Sequence, residues 1–275
     1  MKRTLILLAG ICFAFAGLAQ TDSTKKEGDT IHVGNMIIIK RGNKNGPDDH
    51  DNDVHIYHRK NYESSNLSTN WWIIDLGISQ VNDKTDYAQA IAQGYLPAGA
   101  NEDWFNQRNF KSTNVNIWVF MQRLNMIKHV VNLKYGMGIE LNNYRYTENI
   151  RFQKTSMPLV IMDSINYRKN KLAADYITVP MMLNFNFTPN RRHGFGFSAG
   201  ASVGYLYSSR QKTISSEFGK KKFRDDFDLD KWKVSYVAEI TLGPVRLYGS
   251  YATKSMFKKG LDQTPYNFGL RLSNW

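Results

Sequence analysis

The sequence predicts an all-β fold, an eight-stranded antiparallel transmembrane β-barrel preceded by a polar, largely irregular N-terminal segment. From residue 71 onward, apolar residues alternate with polar or small ones, which is typical of strands with two different faces. The alternating runs reach about 10–12 residues, the length that a tilted membrane strand needs and about twice the average of soluble strands. Long and short connections also follow each other in turn along the chain.

Composition excludes several other classes. The chain has 275 residues, of which 42% are hydrophobic and 13% aromatic, and this aromatic content is too high for a disordered chain. The mean hydropathy is −0.47, and no helix-length apolar run follows residue 20, so a helical membrane protein is excluded. A membrane β-barrel is not excluded, because its strands hide their apolar residues in alternation.

The first 20 residues have the pattern of a secretory signal peptide. A basic start is followed by the apolar run Leu5–Ala16 and by small residues, so cleavage is expected near Ala19 or Gln20. The single cysteine, Cys12, lies within this segment, and the mature chain would therefore have no disulfide. Lipidation of Cys12 is the alternative, but Ile11 stands where a lipoprotein signal needs a small residue.

Residues 21–70 are interpreted as a polar periplasmic segment. It contains one β-like run, Ile31–Lys40, and residues 43–61 have no apolar period and are expected to form a loop or flexible tail. The carboxylates and imidazoles of this stretch have the chemistry of a divalent-metal site but lack the glycine and terminal glutamate of an EF-hand. We interpret them as a solvated tail and predict no metal site. The residues concerned are Asp48, Asp49, His50, Asp51, Asp53, His55 and His58.

Residues 71–275 form the predicted barrel, with its strands taken in order along the chain. Five runs alternate clearly: Val131–Leu141, Tyr176–Phe187, Gly194–Tyr207, Trp232–Leu242 and Tyr266–Ser273. Three are weaker: Trp72–Val81, Val115–Leu124 and Val245–Thr253.

The connections between these runs indicate the orientation of the barrel. Short ones are expected at 125–130, 188–193 and 243–244, long ones at 82–114, 146–175 and 208–231, and an intermediate one at 254–264. Short turns on one rim and long loops on the other are typical of outer-membrane barrels, with the turns periplasmic and the loops extracellular. In a soluble sandwich, loops of this length would count against the assignment.

The two faces of the strands predict what the barrel touches. The apolar face is expected to meet lipid, and the polar face to fill a lumen too narrow for a wide pore. The inward residues Lys134, Glu140, Glu239 and Arg271 share one parity and are expected to pair there. Aromatic residues near the strand ends are expected to form an interfacial girdle, with a sugar-binding platform as the minority alternative. They are Trp71, Trp72, Trp118, Trp232 and Tyr248.

Two long loops have distinctive compositions. Lys220–Arg224, like the basic loop 146–175, suits an anionic lipopolysaccharide surface, either as a solvated loop or as a grip on anionic partners. The segment Tyr87–Phe110 is aromatic and acidic, and is expected either to cover the barrel mouth or to touch a partner.

No catalytic motif is present in the structural context that its chemistry requires. The spacing Gly-x-Ser-x-Gly occurs at Gly196–Gly200 and again at Gly200–Gly204, but both lie within the alternating run Gly194–Tyr207 and not at a strand-to-helix turn. The sequence has no His-Glu-x-x-His and no phosphate-cradling glycine loop. His129 and His193 fall at the expected periplasmic turns, far from any serine-rich mouth. We therefore expect no enzyme activity, and name no catalytic or cofactor-binding residue.

The barrel region resembles the PorT-type outer-membrane β-barrel family. The resemblance covers residues 71–275 and rests on Tyr135–Gly138 followed by Asn142–Tyr146, and on the strand start from Leu172 through Tyr176–Pro180. The leading segment Asp29–Ile39 is similar to the N-terminal region of some members. The resemblance implies an eight-stranded barrel in a Gram-negative outer membrane. The best-known member serves type IX protein secretion. One departure is the terminal Trp275, which is out of phase with the apolar face of the last strand.

Together these observations predict a non-enzymatic outer-membrane protein that is structural or binds partners through its long extracellular loops. The alternatives are a narrow channel for small solutes and a PorT-like accessory of type IX secretion. We expect a monomer in contact with outer-membrane lipids and lipopolysaccharide, with other envelope or secretion proteins as candidate partners. Nucleic acid is not expected as a partner of an exported barrel, despite the net charge of +12.

Overall fold

The computed structural model describes residues 65–153, 157–189 and 194–273, together with the backbone of three short strands nearer the N-terminus. The chain divides into two units, Met1–Glu63 and Ser64–Trp275. No helix within the described residues is long and apolar enough to cross a membrane.

The N-terminal unit contains a small antiparallel sheet. Strands β1 (Thr30–Val33), β2 (Met36–Lys40) and β3 (Val54–His58) pair in the order β1-β2-β3. The β-like run predicted over Ile31–Lys40 therefore forms two strands, β1 and β2. A loop was expected over residues 43–61, and this prediction is wrong for Val54–His58, which form strand β3. Strand β3 has the β-branched and aromatic residues that favour extended backbone, but its short alternation is concealed by polar surroundings.

The second unit is a closed antiparallel barrel of eight strands. These strands are β4 (Leu67–Asp83), β5 (Thr113–Ile127), β6 (Val131–Tyr146), β9 (Tyr167–Asn186), β10 (Phe195–Ser215), β12 (Trp232–Leu242), β13 (Val245–Ala252) and β14 (Gln263–Leu272). Each pairs with its neighbours along the ring, and the last, β14, pairs with the first, β4, so the ring has no free edge. All eight predicted strands are confirmed.

The connections alternate between the two rims as predicted. Short ones, at 128–130, 187–194 and 243–244, define the turn rim, and long ones, at 84–112, 147–166, 216–231 and 253–262, define the loop rim. The long connections contain helix α1 (Tyr87–Ala92), 3-10 turns at Glu102–Phe105 and Asn109–Lys111, the hairpin β7 (Ile150–Phe152) with β8 (Val160–Met162), and β11 (Gly219–Arg224).

The two faces of the barrel differ in polarity. On β9, Ile177, Val179 and Met181 are exposed on the outside, whereas Thr178 and Asn184 are buried inside. Large apolar side chains are exposed in the same way on the other strands of the ring, and together they form the apolar belt. The belt is the surface that a lipid environment would cover.

A paired irregularity explains why two strands alternate weakly in the sequence. Trp72 on β4 has a φ of 56°, and Trp71 and Trp72 both point outward. On β5 the register with β6 slips between Trp118 and Phe120. At the irregularity, the residues that point inward therefore change from odd to even positions or the reverse, as in a β-bulge. A search for strict alternation along the sequence detects such strands only weakly.

Three strands continue beyond their predicted ends at the loop rim. Strand β6 extends to Tyr146, β9 begins at Tyr167, and β10 runs to Ser215. Above the apolar belt the outward face of these extensions is largely polar, so hydrophobic alternation no longer marks the strand.

Candidate functional site

The barrel lumen is crossed by a buried network of ion pairs. Arg271 of β14 lies between two carboxylates: its Nε and Nη2 each lie 2.7 Å from an oxygen of Asp75, and its Nη1 donates to Glu239. Lys134 of β6 donates to both oxygens of Glu239, at 2.6 and 2.7 Å. All four side chains are buried. The network therefore joins four strands across the interior.

A second cluster surrounds Glu140. Its carboxylate forms a salt bridge with Lys233 and accepts hydrogen bonds from Asn142 at 3.1 Å, Asn267 at 3.0 Å and Thr178 at 3.2 Å. A buried charge is stable only when its hydrogen-bonding capacity is met in this way. Asn142 also accepts from Asn114, so the cluster continues into the polar lining of β5.

The pairing predicted for the inward residues is confirmed, with two additions. Lys134 and Arg271 pair with Glu239, whereas Glu140 pairs with Lys233, which shares the inward face of β12 with Glu239. Asp75 completes the network but was missed. It lies on β4, where the change of parity at Trp72 weakens the alternation.

Two aromatic residues assigned to the girdle lie inside the lumen instead. Trp118 is 5% exposed and donates from Nε1 to Asp75 at 2.7 Å, and Tyr248 is 7% exposed and donates to Asn114. The girdle prediction is wrong for both. Glycines on nearby strands leave room for these rings: a Cβ at Gly138 would lie 2.8 Å from Trp118, and one at Gly77, two strands away, would lie 2.4 Å from the Tyr248 hydroxyl.

The remaining girdle candidates are exposed. Trp71 is 60%, Trp72 70% and Trp232 55% exposed, and their rings continue the apolar belt. The Tyr205 ring packs against Trp232 with centroids 5.0 Å apart. These positions fit the interfacial anchoring predicted from the sequence.

Little free space remains in the lumen. A small cavity, lined among others by Trp118, Glu140, Tyr248 and Arg271, has room for about two water molecules. Side chains and their salt bridges fill the surrounding volume, as expected for a ring of eight strands.

At the loop rim, the four long connections share one apolar core, which we call the outer cap. Lumen-facing residues at the ends of β6 and β9 join it from below. Its buried members are Ala90, Leu96, Ala100, Phe105, Tyr144, Tyr146, Ile150, Phe152, Val160, Leu172, Ala174, Tyr176, Phe227, Leu229, Met256, Phe257 and Leu261.

Phe152 lies at the centre of the outer cap. Its ring stacks on Phe257 at 5.9 Å with an interplanar angle of 12°, and also contacts Phe227 at 6.1 Å and Tyr146 at 5.7 Å. Phe105 packs edge-on against Tyr146 from the first long connection. Residues of all four loops thus enclose the barrel mouth.

Polar contacts fix the loops of the cap to the strand ends. The Tyr87 hydroxyl donates to Asp83 at 2.8 Å, and burial together with this carboxylate raises the pKa of Tyr87 well above its ordinary value. Asp230 pairs with Lys254 at 2.5 Å and accepts from the Trp232 backbone N–H. The hydrogen bond from Lys254 holds the pKa of Asp230 below its ordinary value.

The aromatic, acidic segment Tyr87–Phe110 covers the mouth, one of its two predicted roles. Phe105 is buried, and Trp104 is partly buried against the outer cap. Phe110, by contrast, is 87% exposed. A large exposed aromatic on a fixed surface is the kind of residue that anchors protein partners.

The basic segment Lys220–Arg224 is a strand rather than the solvated loop expected from its composition. It forms most of β11, which pairs with β10 outside the ring, and all its residues are exposed. The basic residues Lys169 and Lys171, assigned to a loop, lie on the extension of β9.

The Asp/His cluster lies largely outside the described residues, and only the backbone of β3, with His55 and His58, is described. Among the described residues, no group of three or more His, Cys, Asp or Glu side chains is placed to hold a metal ion. His129 lies in the turn after β5, with a φ of 58°. His193 and Trp275 lie outside the described residues.

Comparison with known proteins agrees with this architecture. A family model described as "Outer membrane protein beta-barrel domain" matches residues 72–253, more than half of the chain. The chain belongs to this family. Its barrel is therefore an outer-membrane β-barrel whose apolar belt faces lipid.

Among solved structures, the chain is similar to Ail, the attachment invasion locus protein of Yersinia pestis. The two are 11% identical, with a TM-score of 0.30, and the match covers 74% of this chain and 98% of the other. No curated protein matches this chain.

Proposed function

We propose that this protein is a non-enzymatic outer-membrane barrel whose outer cap binds a partner. The observation that carries the proposal is the shared core of the four long loops, centred on Phe152. Loops that pack on one another present a preformed surface, which lowers the entropic cost of binding. Loops that only connected strands would need no such core.

The outer surface of the cap offers exposed aromatic groups for this role. Phe110 is 87% and Phe218 51% exposed, and the Lys221 ammonium lies 4.1 Å above the Phe218 ring. Aromatic residues flanked by cations are frequent energetic centres of protein interfaces. The partner expected is another component of the cell envelope or its surroundings, bound by a monomeric barrel.

The experiment that tests the proposal places a photo-cross-linking amino acid at Phe110 in the native host. Phe187, 67% exposed at the turn rim, is a matched aromatic control on the opposite side of the barrel. We expect a discrete adduct from position 110, identified by mass spectrometry, that position 187 does not give. The partner identified in this adduct should copurify less with a Phe110→Ser variant of the barrel than with wild type. Identical adducts at positions 110 and 187, or no adduct at position 110, would argue against the proposal.

The narrow channel is the second candidate, and the filled lumen counts against it. A solute would have to pass both the Arg271 network and the outer cap. Conductance in planar bilayers decides between the two. Steady single-channel currents that change when Lys134 and Glu239 are both neutralised would favour the channel.

A PorT-like accessory role in type IX secretion is supported by the family resemblance alone. It predicts that deletion abolishes secretion of type IX substrates and that other secretion components copurify with the barrel. Normal secretion in the deletion strain would exclude it.

Export through a cleaved signal peptide completes the proposal, with the basic start and apolar run Leu5–Ala16 as its support. N-terminal sequencing of the protein from outer membranes should begin near Gln20. A lipid-modified Cys12 at the N-terminus would show the alternative processing instead.

A further inference from the structure

Four cations form a row across the strands that extend above the barrel. Strand pairing sets Arg145 of β6 opposite Lys171 of β9, Lys171 opposite Lys212 of β10, and Lys212 opposite Lys222 of β11. Residues directly opposite each other in a sheet lie on the same face. Four positive side chains thus stand side by side on neighbouring strands, about 5 Å apart from one strand to the next.

Neighbouring rows on the same face add further cations. Arg210 stands opposite Arg224 on one side of the row, and Lys169 and Lys220 flank Ile214 on the other. We call the whole set the cation face. It consists of Arg145, Lys169, Lys171, Arg210, Lys212, Lys220, Lys222 and Arg224.

The cation face points away from the outer cap. On the opposite face of the same extensions, Tyr144 and Leu172 are buried in the cap core, and Gln211 bonds to the backbone of the β7–β8 hairpin. The cation face therefore continues the lipid-facing side of the barrel.

Its height places it at the membrane surface. Ile177 belongs to the apolar belt, and Lys171 lies six residues above it on the same side of β9. At about 3.3 Å per residue and a tilt of about 40°, this puts the backbone of the row roughly 15 Å above Ile177. The headgroup region is about 5–8 Å deep, and the long arginine and lysine side chains can extend down toward it.

These cations lack carboxylate partners within the described part of the chain, with one exception. Arg210 pairs with the buried Asp175, whereas Arg145 and Lys171 are held by neutral oxygens, the Arg168 carbonyl and the Asn143 amide. Like charges placed directly opposite each other destabilise a sheet. Such an arrangement persists at low cost only when anions from outside neutralise it.

We propose that the cation face binds the phosphate groups of a phosphorylated glycolipid in the outer leaflet, the lipid part of lipopolysaccharide. Charge-assisted hydrogen bonds from arginine and lysine are well suited to phosphate oxygens. A lipid is favoured over an acidic protein because the face continues the lipid-facing side of the barrel directly above the belt, whereas a soluble partner would first meet the cap. This inference goes beyond the proposed function and concerns a different face of the protein from the partner surface of the outer cap.

The test uses the full mature chain refolded in detergent and titrated with fluorescent bis-phosphorylated lipid A in mixed micelles. A row variant neutralises the four central cations: Arg145→Gln, Lys171→Gln, Lys212→Gln and Lys222→Gln. A control variant removes the same charge from exposed lysines elsewhere on the loop side: Lys84→Gln, Lys111→Gln, Lys231→Gln and Lys259→Gln. Heat-modifiable migration on gels verifies that both variants are folded.

We expect the row variant to bind lipid A at least about tenfold more weakly than wild type, while the control variant changes little. Dephosphorylated lipid A should bind all three proteins equally weakly. Without lipid, the row variant should unfold at the same or a higher urea concentration, because like charges have been removed. A merely structural role for these side chains predicts the opposite shift.

Three results would overturn the inference. Equal weakening in both variants would mean that only the overall charge attracts the lipid. Competition by inorganic phosphate, with no preference for the lipid, would mean an unspecific anion site. Equally tight, row-dependent binding of polyglutamate would indicate an acidic polypeptide. Since the cross-linking test uses Phe110, failure here leaves the proposed partner surface separately testable.

Discussion

Arg271 and Asp75 stand opposite each other at the seam where the last strand of the barrel meets the first. Their side chains form two hydrogen bonds of 2.7 Å, and the residues are 196 positions apart in the chain. The seam is the pairing that closes the ring, and it brings together the most distant strands in sequence. This ion pair therefore links the two strands whose pairing closes the ring, and its side chains help to fill the lumen.

Replacing Arg271 by methionine should destabilise the barrel by about 3–5 kcal/mol, because Asp75 and Glu239 then remain buried without their shared cation. The midpoint of urea unfolding, followed by tryptophan fluorescence or gel mobility, measures this. The exposed Arg108→Met variant is the control and should change the midpoint little. In a double-mutant cycle, Asp75→Asn should cost much less in the Arg271→Met background than alone. Additive effects would show that the two residues do not act as a pair.

Replacing Phe152 by alanine should open the outer cap while leaving the barrel closed. The ring contacts Phe257, Phe227 and Tyr146, and its loss removes the centre of the core at a cost of about 3–5 kcal/mol. Limited proteolysis should then cut the long loops faster, whereas heat-modifiable migration should persist. Phe110→Ala, which removes an exposed ring, should leave proteolysis unchanged. Loss of migration in the Phe152 variant would mean that the cap is needed for the barrel itself.

Sequence alternation is sufficient to predict the barrel, because lipid and lumen impose opposite polarities on successive residues. Strand β12 was predicted with its observed ends, Trp232 and Leu242. The irregularity at Trp72 conceals the alternation of β4, and Asp75 was missed for that reason. Above the apolar belt lipid no longer requires an apolar outer face, so the sequence pattern predicts loops where β9 and β10 extend.

The candidate sites depend on relations that a linear pattern does not contain. Phe152 and Phe257 stack in the cap, yet they come from different loops with no shared period. The row from Arg145 to Lys222 needs the register of three strand pairs. Basic composition indicated an anionic surface, but only strand pairing shows that the charges are aligned.

The salt bridge between Asp230 and Lys254 should make the cap weakly sensitive to acid. Because the pKa of Asp230 is lower in the folded state than in the unfolded chain, the bridge stabilises the fold above the unfolded pKa of about 4. This contribution is lost as the pH falls through the folded value. A Lys254→Met variant should be less stable than wild type by up to about 1 kcal/mol at pH 7, since the pair is partly exposed.

The measurement is the rate of limited proteolysis of the outer loops at neutral pH, with unfolding midpoints compared at neutral and acid pH. The difference between wild type and the Lys254→Met variant should shrink below about pH 4. The paired substitution Asp230→Asn should remove the pH dependence of the difference. A difference that grows on acidification would contradict the assignment of this bridge.

Fluorescence can test which tryptophans face lipid. Trp118 donates to Asp75 inside the lumen, whereas Trp71, Trp72 and Trp232 are exposed on the outside. In vesicles containing brominated lipids, a protein that retains only Trp232 should be strongly quenched, and one that retains only Trp118 should be nearly unquenched. Lumenal placement also predicts that Trp118→Phe lowers the free energy of unfolding by about 1–3 kcal/mol, because Asp75 loses a donor. The urea midpoint should fall accordingly. Trp232→Phe keeps an aromatic ring at the lipid surface and should leave the midpoint unchanged. Strong quenching of Trp118 would instead indicate that its side chain faces lipid, as the girdle prediction holds.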